Sequence, residues 1–165
     1  MPNNWFSGGA IYDFCDEGLL FLVQDYLPLY KWERGKIISL ATGWGGIQTK
    51  FPGGRGMDRL DDANPLATMR REVRTETGLT VLEGAELRKI ELPPNRDDHQ
   101  KTIFLVPIQY TVGKIRRKPS VDGRSYLFPP RWINASEAGI QLYRDHRTVG
   151  IKAYEELSMG VALAV

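Results

Sequence analysis

Two glutamates four positions apart are the residues of this sequence best placed to do chemistry. Glu72 and Glu76 lie in the segment REVRTETGL, which is dense in charged residues. Successive helical residues turn by about 100°, so the two carboxylates fall about 40° apart on one helix face. Two interpretations are open. The face is solvated and compensated by arginines such as Arg71, or its carboxylates bind a hard divalent cation such as Mg²⁺.

A pair of glycines precedes this charged segment. The stretch FPGG places Gly53 and Gly54 upstream of the glutamates. Because glycine has no side chain, its backbone can approach a phosphate or a metal closely. The combination of a glycine turn and two helical carboxylates favours a site for a metal and a phosphate over a merely solvated face.

The helix that carries the glutamates has clear boundaries. Asn64 is a good N-cap, Pro65 suits the first helical position, and Gly78 can end the helix in a left-handed conformation. The apolar residues of the segment predict its buried stripe, which is formed by Leu66, Met69 and Val73.

The elements around this helix are predicted from short apolar runs. GGAIYDF and GLLFLVQDY predict a hairpin, and KTIFLVPIQYTV is the strongest further strand. Strands are also predicted at KIISLAT, at RWIN and once or twice within 79–92, and two helices follow at ASEAGIQLYRD and VGIKAYEELSMG. LPLYKWERGK and IRRKPSVDGR are predicted as loops. This mixture predicts an α/β (α+β) fold.

The length, composition and net charge of the chain limit the class of protein. A chain of 165 residues with 42% hydrophobic content predicts one domain over 1–165. The net charge of +2 gives no support for binding nucleic acid. The single cysteine, Cys15, fits a reducing compartment and is predicted to be a small buried residue. With neither a signal peptide nor a run of about 18 apolar residues, we expect a cytoplasmic protein that does not enter membranes.

The segment 53–79 resembles the Nudix box, whose pattern is G-x5-E-x7-R-E-U-x-E-E-x-G-U with U a bulky aliphatic residue. Gly53 and Gly54 match the glycines that open the box, Arg71 and Glu72 match its R-E pair, and Glu76 matches the second glutamate of its E-E pair. Val73, Gly78 and Leu79 match the other box positions in the helix and after it. The first hairpin and the piece RWINASEA resemble other parts of the family. The resemblance implies a Nudix fold, in which helices sandwich a mixed β-sheet.

This sequence departs from the box at two places. The interval from Gly54 to Arg71 is longer than the pattern allows, and the position of the first glutamate falls on Ala63, so that Asp61 or Asp62 is expected to reach in instead. The first glutamate of the E-E pair is replaced by Thr75, whose hydroxyl is a weak ligand. The box is therefore degenerate at a position that normally helps to hold the metal.

The resemblance also implies an activity, which is the hydrolysis of a nucleoside diphosphate linked to another moiety, with Mg²⁺ or Mn²⁺. In that reading Glu72 and Glu76 bind the metal and serve catalysis, Arg71 orients them, and the carbonyl of Gly53 adds an oxygen. A further acidic ligand is expected from outside the box, and the candidates are Asp97, Asp98 and Glu137. The resemblance also makes a homodimer an expectation.

Aromatic residues precede the box and are the candidates for holding a base. Trp32 and Trp44, with Tyr30 near them, could stack a nucleobase or could equally cover the sheet. Gly53 and Gly54 complete the expected substrate contacts. The basic run Lys114, Arg116, Arg117 and Lys118 is interpreted as solvated rather than as a phosphate site.

Other functions remain beside hydrolysis. Because Thr75 removes one carboxylate, the chain could instead be a catalytically impaired module that binds a nucleotide or regulates. An isoprenoid diphosphate isomerase is disfavoured, since Cys15 lacks the expected context. His99 and His146 are too isolated to predict a zinc site.

Overall fold

A computed structural model of the chain describes residues 5–28, 30–34, 36–39, 46–56, 62–94, 100–122 and 125–163. Side chains are not described at 30–33, 36–39, 122 and 161–163. Within these ranges the strands are β1 Trp5–Cys15, β2 Gly18–Pro28, β3 Tyr30–Glu33, β4 Lys36–Ser39, β5 Gln48–Lys50, β6 Gly53–Arg55, β7 Leu79–Val81, β8 Lys89–Leu92, β9 Gln100–Pro107, β10 Thr111–Gly113, β11 Ser120–Asp122, β12 Ser125–Leu127 and β13 Arg131–Asn134. The α-helices are α1 Pro65–Thr77, α2 Ala138–Gln141 and α3 Asp145–Leu163, and short 3₁₀ turns occupy Ile108–Tyr110 and Ala135–Glu137.

One mixed sheet organises the described residues. Its strand order is β11-β12-β2-β1-β9-β8, with β5 and β13 also paired to β2 and β6 paired to β1. β1 runs parallel to β9 and antiparallel to β2. The hairpin predicted at the start of the chain is confirmed, and its two strands form the centre of the sheet.

Helices cover both faces of this sheet, as the family resemblance implied. On one face, Met69 and Val73 of α1 pack with Ile11, Leu22 and Val106. The other face carries α2 and α3, whose residues Ala138, Leu142, Val149, Ala153 and Leu157 pack with Phe21, Val23, Ile103 and Leu105. The sheet therefore separates two apolar layers, and α1 belongs to one of them alone.

Helix α1 begins and ends where the sequence predicts. The side chain of Asn64 accepts a hydrogen bond from the backbone N–H of Ala67, and Gly78 has the left-handed φ of 83°. Met69 and Val73 are fully buried, whereas Leu66 is half-buried at the border of the same layer. None of the helices in the described ranges is long and apolar enough to cross a bilayer.

Several sequence predictions need correction. The segment IRRKPSVDGR is not a loop throughout, because it contains β11, which pairs with β12. The stretch 27–36 is not a loop, because its residues complete β2 and form β3, which pairs with β4. Cys15 is not buried, since it ends β1 at the tip of the hairpin, where its thiol donates to the carbonyl of Gly18. KTIFLVPIQYTV is not one strand, because β9 ends at Pro107 and a 3₁₀ turn precedes β10.

Candidate active site

Helix α1 directs its two glutamates at two consecutive residues of β6. Gly53–Arg55 is a short strand antiparallel to β1, with Gly54 opposite Ser7 and Gly53 opposite Gly8. The expected glycine turn is therefore extended backbone. Glu72 is 8% exposed and Glu76 is 1% exposed, so both belong to the buried side of the helix. This burial disfavours the interpretation of a merely solvated face.

Gly54 is required for space. A Cβ atom built on Gly54 would lie 2.3 Å from Oε1 of Glu72, far inside van der Waals contact. No larger residue fits there while Glu72 keeps its place. The absence of a side chain is thus what allows this carboxylate to lie against the backbone.

Two uncharged donors bind one oxygen of Glu76. Its Oε2 atom accepts a hydrogen bond of 2.6 Å from the hydroxyl of Tyr26 and one of 2.9 Å from the N–H of Gly53. Tyr26 lies near the end of β2, and Gly53 begins β6. Donors from two strands therefore fix one carboxylate oxygen.

Arg71 joins the other carboxylate to a third acidic residue. Its Nη1 atom donates to Glu72 Oε1 at 2.7 Å, and its Nε and Nη2 atoms donate to Asp62 at 3.0 and 2.7 Å. A further bond reaches the carbonyl of Arg55. Hydrogen bonds to Asp62 are the main cause of the raised pKa of Arg71. Of the two aspartates expected to reach in, Asp62 contacts Arg71, and Asp61 lies outside the described residues.

Thr75 lies beside these carboxylates on the exposed side of α1. Its hydroxyl donates to the carbonyl of Arg71 at 2.9 Å, which closes a bond within the helix. In this position a longer acidic side chain would reach solvent without entering the core.

Three cations lie close to one another, and we call them the cationic cluster. They are Lys50, Lys101 and Arg144. The Nζ of Lys50 is 5.3 Å from the ring centre of Tyr26, the tyrosine that binds Glu76. It is also 5.5 Å from the ring of Tyr143, against which the guanidinium of Arg144 packs at 5.0 Å. Burial, with the nearby charge of Lys101, lowers the pKa of Lys50, while Glu76 raises it.

A buried histidine packs behind this cluster. The Nδ1 atom of His146 accepts a hydrogen bond from the N–H of Phe51, and its ring packs edge-on against Phe6. Burial lowers the pKa of His146 well below its ordinary value, and the charges of Lys101 and Lys50 lower it further. The imidazole is therefore neutral at pH 7, and its other nitrogen carries the proton.

Some expected site residues are not brought to the carboxylates. Glu137 is exposed and accepts a hydrogen bond from Gln141, and its neighbours Ala135 and Ala138 pack on the sheet face opposite α1. Trp44, Asp97 and Asp98 lie outside the described residues, as do the side chains of Trp32 and Tyr30. In the ranges that are described, no three acidic, histidine or cysteine side chains converge as a metal site would require.

Arg116 corrects the interpretation of the basic run as solvated. Its guanidinium donates to the backbone carbonyls of Glu76 and Phe128, and its N–H donates to the carbonyl of Thr77. Burial lowers its pKa, whereas the charge of Glu76 raises it. Arg116 thus connects the end of α1 to the adjoining loops. A run of basic residues in the sequence does not predict this structural contact.

Comparison with solved structures identifies the fold of the chain. No protein-family model and no curated protein sequence matches the chain. Among solved structures, it is similar to the Nudix domain of Shewanella oneidensis NrtR, crystallised with ADP-ribose, at 13% identity and a TM-score of 0.56, over 95% of this chain and 90% of that one. It is also similar to a MutT/Nudix family protein of Listeria innocua, at 18% identity and a TM-score of 0.53 over 99% of both chains.

A third similar structure, the ORF135 protein of E. coli, shares 13% identity with a TM-score of 0.54, over 94% of this chain and 91% of that one. These similarities cover nearly the whole chain, at low sequence identity, and so they concern the fold. The chain has the Nudix fold.

Proposed function

We propose that the chain is a Nudix-type pyrophosphohydrolase, which cleaves a nucleoside diphosphate linked to another moiety and depends on Mg²⁺ or Mn²⁺. The observation that carries this proposal is the convergence of Glu72 and Glu76 on Gly53 and Gly54. Two buried carboxylates against an open backbone are an arrangement that a solvated helix face does not need. The likeness of fold to MutT and Nudix proteins supports the same class.

The residues present suit a divalent cation. Mg²⁺ is commonly bound through one or two carboxylates, with substrate phosphates and waters completing its octahedron. Glu72 and Glu76 would hold it, together with the carbonyl of Gly53. When bound, the cation neutralises the diphosphate and lowers the pKa of an attacking water.

The chain's own groups position these carboxylates. Arg71 fixes Glu72 through one charged hydrogen bond while Asp62 holds the rest of the guanidinium. Tyr26 and Gly53 fix Oε2 of Glu76. With its orientation set in this way, one of the two carboxylates can accept the proton of the attacking water. Trp32 and Trp44 are proposed to stack the nucleobase.

Hydrolysis assays test this proposal. A panel of nucleoside diphosphate derivatives would be assayed with Mg²⁺ and Mn²⁺, with products separated by chromatography. Glu72→Gln and Glu76→Gln keep the size of each side chain and should lower the rate by roughly 100-fold or more. Glu91→Gln, on an exposed ion pair of β8, is the matched control and should leave the rate unchanged. Equal rates for wild type and Glu76→Gln would refute the assignment.

A binding or regulatory module is the second candidate. The observation in its favour is Thr75, which replaces a carboxylate of the box with a hydroxyl bonded inside the helix. One structural neighbour was crystallised with ADP-ribose, so calorimetry with ADP-ribose is the natural assay. Binding without turnover across the whole panel would select this function. Sedimentation of the same samples would test the expected homodimer.

A further inference from the structure

The cationic cluster contains more positive charge than the described residues neutralise. Lys101 pairs with Asp145 at 2.9 Å, but in the described ranges no ion pair includes Lys50 or Arg144. Their partners are the faces of Tyr26 and Tyr143. Burial lowers the pKa of Lys50 more than the charge of Glu76 raises it, so an anionic ligand beside this ammonium would offset part of the cost of its desolvation.

The backbone is arranged to hold these cations together. The carbonyl of Thr49 accepts from the N–H of Tyr143, and the N–H of Phe51 donates to His146. The residues on both sides of Lys50 are therefore bonded to the segment that carries Arg144. Arg144 itself has a φ of 46°, which is strained for a residue with a side chain.

The position of the cluster indicates what it could bind. One tyrosine ring separates Lys50 from the carboxylate of Glu76, since Tyr26 contacts both. A diphosphate held at Glu72 and Glu76 would leave the cluster beside the next group of the substrate. Ammonium and guanidinium groups packed against aromatic rings favour an anion there over a neutral sugar.

We propose that Lys50, Lys101 and Arg144 form a subsite for an anionic group that the substrate carries beyond its diphosphate. This inference rests on the proposed function for the placement of the diphosphate. It implies that the substrate is a nucleoside diphosphate derivative with a negatively charged group in addition to its diphosphate. The anion is either a third phosphate in line with the diphosphate or an acidic group on the far moiety.

Two matched pairs of ligands distinguish a third phosphate from an acidic group on the far moiety. ATP and ADP differ by the third phosphate, and UDP-glucuronate and UDP-glucose differ by a distal carboxylate. Binding would be measured by calorimetry with Ca²⁺, a hard cation that also takes carboxylate and phosphate oxygens, so that the readout is binding and not turnover. At least one pair should show a preference of about tenfold for its more anionic member, the size expected for one charged hydrogen bond.

Variants of the cationic cluster then test whether it causes the preference for the more anionic ligand. Lys50→Met and Arg144→Gln should reduce it to about twofold or less, and Lys50→Arg should retain it. Lys89→Met removes an exposed lysine on β8 and is the control that should change nothing. Circular dichroism would verify that every variant is folded.

The inference and the proposed function can fail separately. No preference in either pair, or a preference that survives both Lys50→Met and Arg144→Gln, overturns the subsite. Failure of the wild type to bind any of the four ligands overturns it as well. If no member of the panel is hydrolysed by the wild type while Lys50→Met loses the binding preference, the hydrolase proposal falls and the subsite stands.

Discussion

The two halves of the candidate site differ in how their charges are balanced. In the acidic half, Asp62, Glu72 and Glu76 meet Arg71, the hydroxyl of Tyr26 and the N–H of Gly53 at hydrogen-bond distances. In the cationic cluster, the charges of Lys50 and Arg144 lie against aromatic rings. The fold itself supplies hydrogen-bond partners for the charges of the acidic half, but it balances the charges of the cationic cluster only in part.

This difference separates positioning from binding. Groups whose partners are all supplied by the chain are held in one geometry, which suits side chains that must orient a reaction. Groups that lack a counter-charge weaken the folded state until a ligand arrives. Removing a charge should therefore destabilise the folded protein in the acidic half and stabilise it in the cationic cluster.

The largest effect is expected at Asp62. Asp62→Asn keeps the shape of the side chain but removes the charge that faces the fork of Arg71. Because Asp62 is nearly buried, we expect a loss of about 2–3 kcal/mol in the free energy of unfolding, measured in urea. Glu91→Gln, which breaks the exposed Lys89–Glu91 pair, should cost less than about 0.5 kcal/mol. Equal losses in the two variants would show that the acidic half is not specially balanced.

A pH-dependent loss of stability is expected at His146. Its pKa is lowered in the folded protein, so the unfolded chain binds more protons once the pH falls below the ordinary histidine value of about 6.5. Stability is complete above that pH and should fall by about 1 kcal/mol over the next unit of acidification. Protonation would add a further charge beside Lys50 and Lys101.

The measurement is a series of urea titrations between pH 7.5 and pH 5.5. His146→Asn keeps an acceptor for the N–H of Phe51 and does not titrate, so its stability should change less over the range. Curves of the same slope for wild type and His146→Asn would contradict the assignment of the buried neutral imidazole.

The opposite sign is expected at Lys50. Lys50→Met removes the partly desolvated charge, and the thioether keeps contact with the rings of Tyr26 and Tyr143. Without ligand this variant should be more stable than the wild type by about 0.5–1 kcal/mol. Thermal unfolding would be followed by circular dichroism, with Lys89→Met as the exposed control. A less stable Lys50→Met would mean that the cationic cluster is structurally satisfied, like the acidic half.

The acidic half is the part of the site that sequence alone locates. Glu72, Arg71 and Glu76 come from one helix whose ends are marked locally by Asn64 and Gly78. Local signals fix their common orientation, so the pair of carboxylates follows from spacing. Counting back from Arg71 also placed Asp61 and Asp62 near the missing first glutamate of the box, but it did not predict that Asp62 would bond to Arg71.

The cationic cluster could not be predicted in the same way. Lys50 ends β5, Lys101 lies in β9 and Arg144 precedes α3, and only the order of strands brings them together. Tyr26 likewise reads as an ordinary strand residue until β6 and α1 are placed beside it. The hairpin at the centre of the sheet follows from short apolar runs, and the two helical layers follow from the resemblance to the Nudix box. The break of the strand after β9 and the extra strand β3 do not, because tertiary pairing decides them.

The smallest change in stability is expected at Thr75, where the acidic half departs from the Nudix box. Thr75→Glu removes the hydroxyl bond to the carbonyl of Arg71 and adds a charge near Glu72. Repulsion of a few tenths of a kcal/mol is offset by the better helix propensity of glutamate, so the free energy of unfolding should stay within about 0.5 kcal/mol of the wild type. The exposed position accepts the longer side chain without disturbing the core.

Function should respond to Thr75→Glu more strongly than stability does. A third carboxylate on this face of α1 should lower the Mg²⁺ concentration needed for half-maximal hydrolysis and raise the rate, because hard cations gain from added carboxylate oxygens. The measurement is a pair of Mg²⁺ titrations of the rate, wild type against Thr75→Glu, with Thr75→Gln as the uncharged control of the same size. A rate that falls in Thr75→Glu but not in Thr75→Gln would show that the acidic half already carries its full charge. The site would then work best with the uncharged Thr75, and its departure from the Nudix box would not weaken metal binding.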